Sequence, residues 1–269
     1  MAKVITVSSV KGGVGQTATV LNLGYSMSRL GPKVLVIDLA PQSGASLAAN
    51  VKKKTAKGLL DLLKGTARTS EVLAASREGN LDFVGTGPLE AEEVIFFEKE
   101  AFRGNLTKAI RSITDKYDYV LLDTATGLSV VTYACMALSD SVLVPLAPTA
   151  LAVKSLAAML KFFRRVRARA NRGLVLEGFL FTMADYTSPY EVSLINAVRD
   201  SFPPEACFET VIPYDPAFEA ANARATVAAM LPEGQNAARA YLDLAVEMRL
   251  REMDETRKGR EDGEADGLF

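Results

Sequence analysis

The sequence predicts an α/β fold, a mostly parallel sheet with helices on both faces. Three observations carry that expectation. Short runs of β-branched and aliphatic residues recur at 4–7, 34–37, 81–84 (the weakest), 119–122, 142–144, 174–181 and 208–212. The runs are continuous rather than alternating, as in strands buried on both faces. Helical patterns lie between them, and strand alternating with helix is the signature of a layered α/β domain. The first helix, over 17–30, repeats Val20, Leu23, Met27 and Leu30 at the spacing of one helix face, and Gly31 follows as a stop signal. The same pattern predicts helices over 106–116, 129–138, 151–170, 190–201 and 235–253.

With 269 residues, 49% of them hydrophobic and 23% charged, the chain has the composition of a soluble globular protein. No internal repeat or Pro/Gly-rich linker divides it, so one domain is expected over 1–250. Residues 251–269 are mostly charge and glycine and are read as a frayed helix end and a disordered tail. Lys and Arg total 31 against 32 Asp and Glu, so any nucleic-acid surface must be a local patch. The absence of histidine excludes imidazole metal sites and Ser-His or Cys-His nucleophile pairs. Cys135 and Cys207 are isolated, which excludes a disulfide framework, a CxxC redox pair and a Cys-only zinc site. The N-terminus lacks the form of a signal peptide, and no apolar run approaches the roughly 18–20 residues that span a bilayer. A cytoplasmic protein without a membrane partner is expected.

The most informative stretch is Lys11-Gly12-Gly13-Val14-Gly15-Gln16-Thr17, followed by Ala18. It follows a predicted strand and opens a predicted helix. Glycines there let backbone N–H groups turn inward, and the helix N-terminus adds positive potential, so the segment suits a phosphate group. Thr17 stands where a phosphate-loop hydroxyl would ligate Mg²⁺. Asp38 and Asp123 each end an apolar run, where carboxylates face the ligand crevice of an open α/β sheet. An ordinary glycine-rich turn and two strand-end caps are the alternatives.

These residues resemble the ParA/MinD family of ATPases with a deviant phosphate-loop motif, over roughly residues 1–250. Val10-Lys11-Gly12-Gly13 is similar to the family's distinctive start, Val36-Ile37-Asp38 with Pro41-Gln42 to its second motif, and Leu121-Leu122-Asp123 to its Walker B strand. Gly58–Leu63 and Asn80–Val84 resemble its connecting elements. Phe181-Thr182-Met183 and Val211-Ile212-Pro213 fall where the family holds adenine, so Met183 and Pro213 join the expected nucleotide site. The resemblance implies a three-layer P-loop NTPase fold with a seven- to eight-stranded sheet, ATP or ADP with Mg²⁺ held by Thr17 and Asp123, and a nucleotide-dependent homodimer. It assigns Lys11 to the dimer interface and makes Lys11 and Asp38 the catalytic candidates. It also implies positioning of chromosomes, plasmids or cargo with a ParB-like or adaptor partner, near the nucleoid. The Pro41-Gln42 and Thr182-Met183 pairs, and the absence of a C-terminal membrane helix, favour the ParA branch.

Three departures bear on activity. Gln16 replaces the family lysine that neutralises phosphate charge. Ala40 replaces the aspartate that orients the attacking water, and a methyl group cannot accept a proton. Thr124 follows Asp123 without the usual proline. Impaired hydrolysis is therefore expected. Tolerance of these changes in an active ATPase, and loss of nucleotide binding in a pure interaction module, are the alternatives. Finally, the segment from Lys161 to Arg172 carries Arg164, Arg165, Arg167 and Arg169 as a candidate surface for non-specific DNA, the alternative being a solvated helix face. Lys52–Lys54 with Lys57, and Arg224, Arg239 and Arg249, are weaker candidates. Cys135, inside an apolar run, is expected in the core.

Overall fold

The computed structural model describes residues 1–40, 57–76, 80–86, 89–224 and 226–266, with side chains to 254 and at 257. Pro41-Gln42 and Lys52–Lys54 lie outside the described residues. The described residues form seven strands, β1 (Lys3–Val7), β2 (Val34–Asp38), β3 (Ala74–Ala75), β4 (Leu81–Gly85), β5 (Tyr119–Asp123), β6 (Ser141–Leu146) and β7 (Val175–Phe181). They form one sheet in the order β3-β4-β2-β5-β1-β6-β7. Every pairing is parallel except the short β3 against β4. The helices are α1 (Gln16–Arg29), α2 (Leu59–Leu63), α3 (Thr69–Val72), α4 (Ala91–Phe102), α5 (Asn105–Thr114), α6 (Val130–Leu138), α7 (Ala150–Arg169), α8 (Pro189–Ser201), α9 (Pro216–Ala223) and α10 (Gln235–Asp266).

The continuous apolar strands are explained by cover on both faces. Val20, Leu23 and Met27 of α1, with Tyr241, Leu244 and Met248 of α10, pack on Ile5, Val34, Val36 and Leu121. Phe97 of α4, Ile110 of α5 and Cys135 of α6 pack on the alternate residues Leu35, Ile37, Val120 and Leu122. Leu156, Phe162 and Phe163 of α7, with Ile195 of α8, close over Val142, Val144, Phe179 and Phe181. Cys135 is fully buried, and burial pushes its thiol pKa up, as suits a core residue.

Three expectations are corrected. The run 208–212 is not a strand. Phe208 and Ile212 donate N–H bonds to Phe179 and Phe181 of β7, but the N–H groups between them, of Glu209 and Thr210, turn to the Glu247 carboxylate at 2.9 Å each. A side chain of α10 thus takes the donors a ladder would need, leaving isolated bridges at Cys207 and Pro213. Helices α2, α3, α4 and α9 were not predicted; α2 and α3 are only 5 and 4 residues long, and α4 buries only Phe97, Glu100 and Ala101, too few apolar positions to announce a face. The end of the chain was read as fraying from 251, yet α10 continues to Asp266. Arg251 binds the Glu205 and Cys207 carbonyls and stacks 4.5 Å over Phe208, while Glu252 binds Lys3 and Tyr119.

Helix α1 lies so close to β2 that a Cβ on Gly24 would sit 2.8 Å from Val36 Cγ2 and 3.4 Å from Leu121 Cδ1. Both neighbours are buried and cannot swing away. Gly24→Ala is therefore expected to destabilise the protein by about 1–2 kcal/mol, because overpacking outweighs the roughly 1 kcal/mol that helix propensity favours. Thermal melting should show a fall of roughly 2–8 °C; a rise would mean that α1 has room at this position.

Candidate functional site

The site assembles at the carboxyl edge of the sheet. Parallel register sets Val7 and Asp38 both opposite Asp123, so the end of β1 and the two carboxylates share one level. The chain then leaves β1 through the glycine loop and enters α1 between the β5 and β6 sides, at the switch in strand order where open α/β sheets bind ligands. Gly13 and Gly15 take φ values of 72° and 70°, the left-handed region that glycine enters without strain. Gly15 is the N-cap of α1 and supplies no side-chain cap, so the first N–H groups of the helix remain available to an anion. Val14 is buried, and its carbonyl accepts a 2.8 Å bond from Thr182 Oγ1, which braces the loop from the end of β7. Ser9 Oγ donates to the Lys11 carbonyl at 2.9 Å and accepts from its N–H at 3.2 Å, while the Lys11 side chain is exposed.

Asp123 is buried. Burial and the neighbouring Asp38 push its pKa up to about 7, against hydrogen bonds from Thr17 and Gln16 that favour the ionised form. None of the groups acting on it, among the described residues, is cationic. A buried carboxylate beside a second carboxylate, with a threonine hydroxyl on it, is a hard-oxygen donor set that suits a divalent cation such as Mg²⁺. Thr17 and Asp123 fit that ion. Its charge would offset the carboxylate pair and the phosphates together. The Gln16 side chain is directed inward. Its Nε2 donates to Asp123 Oδ1 at 2.9 Å and to the Thr124 carbonyl. Sequence reasoning placed that donor on phosphate; here it is held by β5.

A cleft of about 530 Å³ opens from the loop. Gly13, Gly15, Thr17 and Ala18 line one end, Met183 and Pro213 another, which brings together the residues expected for phosphate and base. Met183 has φ 56°, uncommon for a residue with a side chain, and its neighbours hold it: Thr182 through Val14, Ala184 through a bond to the Ile212 carbonyl. The sequence pass missed Thr182 as a loop brace, and Tyr214, Asn222 and Tyr241 as cleft walls. Thr182 carried a readable signal, since it follows an apolar strand as directly as Asp38 and Asp123 end theirs; the walls come from the segment before α9, from α9 and from α10, and carried none.

The arginines lie elsewhere. Helix α7 starts beside the carboxyl edge and runs 20 residues, about 30 Å, to the amino edge. Lys161, Arg164, Arg165, Arg167, Arg169 and Arg172 are all exposed near its far end, and none forms an ion pair among the described residues. The weaker basic candidates do have partners: Arg224 with Glu233, Arg239 with Asp243, Arg249 with the Leu30 carbonyl and Lys57 with Glu71. No helix of the described residues is long and apolar enough to cross a membrane.

Comparison with known proteins agrees with this geometry. A family model described as an AAA domain (AAA_31) matches residues 2–176. The sporulation initiation inhibitor protein Soj of Bacillus subtilis is 29% identical over 250 residues, covering 92% of this chain and 98% of that one. The chromosome partitioning protein ParA of Caulobacter vibrioides is 28% identical over 260 residues, covering 95% and 97%. In fold, a variant of Cyanothece McdA solved as its ATP complex superimposes with a TM-score of 0.76 at 20% identity, over 91% of this chain and 96% of that one. The chain belongs to the AAA-domain family and, within it, to the ParA/MinD group of partition and positioning ATPases that its motifs resemble.

Proposed function

We propose that this protein is a ParA-like nucleotide switch for partitioning DNA or positioning cargo, with hydrolysis impaired or lost. The observation that carries the reading is the glycine loop, which leaves β1 at the level of Asp38 and Asp123, sets Thr17 in hydrogen-bond contact with Asp123 and opens on a cleft of about 530 Å³. The loop N–H groups and the α1 N-terminus would hold the phosphates of ATP or ADP, Thr17 and Asp123 the Mg²⁺, and Met183 with Pro213 the base. Lys11 would face a second copy in a nucleotide-dependent homodimer, a role that its exposure on the loop supports. The exposed arginines of α7 support non-specific binding to duplex DNA. A ParB-like or adaptor protein would be the further partner.

Impairment follows from two positions. Gln16 has no positive charge, and Ala40 has no acceptor for the attacking water. Phosphate release with Mg²⁺ is therefore expected near background, with or without DNA. Gln16→Lys should tighten ATP binding by about 10- to 100-fold, the worth of a charge-assisted bond, without restoring turnover while Ala40 remains. Turnover typical of the family would overturn this reading in favour of an active ATPase. Absence of nucleotide binding in wild type and Gln16→Lys alike would leave an interaction module.

DNA binding should be similar for unrelated duplexes and fall steeply with salt, because phosphate contacts carry charge but no sequence information. Arg164→Glu with Arg165→Glu, and Arg167→Glu with Arg169→Glu, should each weaken binding and reduce the salt slope by about 0.9 per lost phosphate contact. Fluorescence anisotropy across a salt series measures both quantities. Wild-type behaviour in both pairs would return α7 to an ordinary solvated face.

A further inference from the structure

A glutamine side chain carries two N–H donors on its nitrogen and one acceptor oxygen. In Gln16 both donors are committed, one to Asp123 Oδ1 at 2.9 Å and one to the Thr124 carbonyl, with Thr124 Oγ1 a distant 3.5 Å away. Turning the amide over would set Oε1 against a carboxylate and a carbonyl, two acceptors, so the chemistry dictates its orientation. Oε1 is buried and has no hydrogen-bond partner among the described residues. The side chain therefore has no donor left for an anion in the loop. The tie continues beyond β5, because Thr124 Oγ1 donates to the Val7 carbonyl of β1 at 3.3 Å. One neutral amide thus joins the first turn of α1 to the ends of β5 and β1.

We propose that Gln16 is a latch that holds the loop closed on Asp123 in the nucleotide-free chain, and that a nucleotide with its Mg²⁺ binds only as the latch lets Asp123 go. The inference rests on the reading of the loop as a phosphate site. It reverses the role that Gln16 has as a weak phosphate donor: the residue lowers nucleotide affinity by what it holds, in addition to the charge it lacks. Hydrogen bonds to a buried carboxylate are among the stronger ones, and one left without its partner is costly. The same bonds that stabilise the empty loop are then subtracted from the affinity of whatever opens it.

Gln16→Met separates the two roles, since methionine has nearly the length and volume of glutamine and no donor. The nucleotide-free variant should melt about 3–10 °C below wild type, the effect of losing a hydrogen bond to a charged group. Calorimetric titration with ATP and Mg²⁺ should show binding about 10-fold tighter than wild type, because no latch has to open. Unchanged melting overturns the latch, because the amide then holds nothing. Lower melting with equal or weaker nucleotide binding also overturns it, because Gln16 would then be serving the bound ligand. Should wild type, Gln16→Met and Gln16→Lys all fail to bind nucleotide while Gln16→Met still melts lower, the phosphate-site reading itself fails, and the ligand-release role falls with it.

Discussion

The parallel register of β1, β2 and β5 is the constraint on which the carboxyl edge depends. In a parallel sheet every crossover returns the chain to the same starting edge, so strand ends far apart in sequence arrive side by side. Asp38 and Asp123 are set beside each other and level with Val7, from which the glycine loop departs. A slip of one residue in either pairing would turn a carboxylate from the crevice into the core. The apolar cover on both faces prevents that slip: Leu35 and Ile37 are committed to one helical layer, Val34 and Val36 to the other.

Two opposed electrostatic demands meet at this edge. The left-handed glycines and the uncapped start of α1 create positive potential, while Asp38 and Asp123 concentrate negative charge out of water. A lysine among them would join the two fields directly. Gln16 joins them with a dipole instead: it satisfies Asp123 and Thr124 but adds no charge, and Asp123 retains a raised pKa. Its orphaned Oε1 marks the incompleteness of that substitution, because a buried acceptor without a donor costs free energy that an ammonium, which has no acceptor, would not incur.

The amino edge is organised by a different set of charges. Lys3 lies between Glu177 and Glu252 at 2.9 and 2.7 Å, and the Tyr119 hydroxyl donates to the same Glu252. Arg251 and Glu247 bind backbone groups of the 205–210 segment. Together these contacts anchor α10 through Glu252, two residues into the segment whose composition suggested a tail. The α7 arginines share this edge without such partners among the described residues, so the anchored charges are structural and the α7 charges are exposed.

Much of the fold was legible because burial on both faces leaves continuous apolar runs, and six of the seven predicted strands are found. The loop was legible because glycine at Gly13 and Gly15 answers a backbone need that few other residues meet, and Asp38 and Asp123 because a carboxylate ending an apolar strand is conspicuous. What failed in the sequence depended on groups arriving from elsewhere. Glu247 took the N–H groups that 209 and 210 would have given to a strand; Arg251 and Glu252 found partners as distant as Lys3; Thr182 reached Val14 across the crevice. The amino acids alone determined that position 16 carries a neutral amide rather than an ammonium. Only the tertiary structure decided where that amide points, because its two acceptors lie on the last residue of β5 and the one after it, 107 and 108 residues further along the chain, and reach it through the pairing of the sheet.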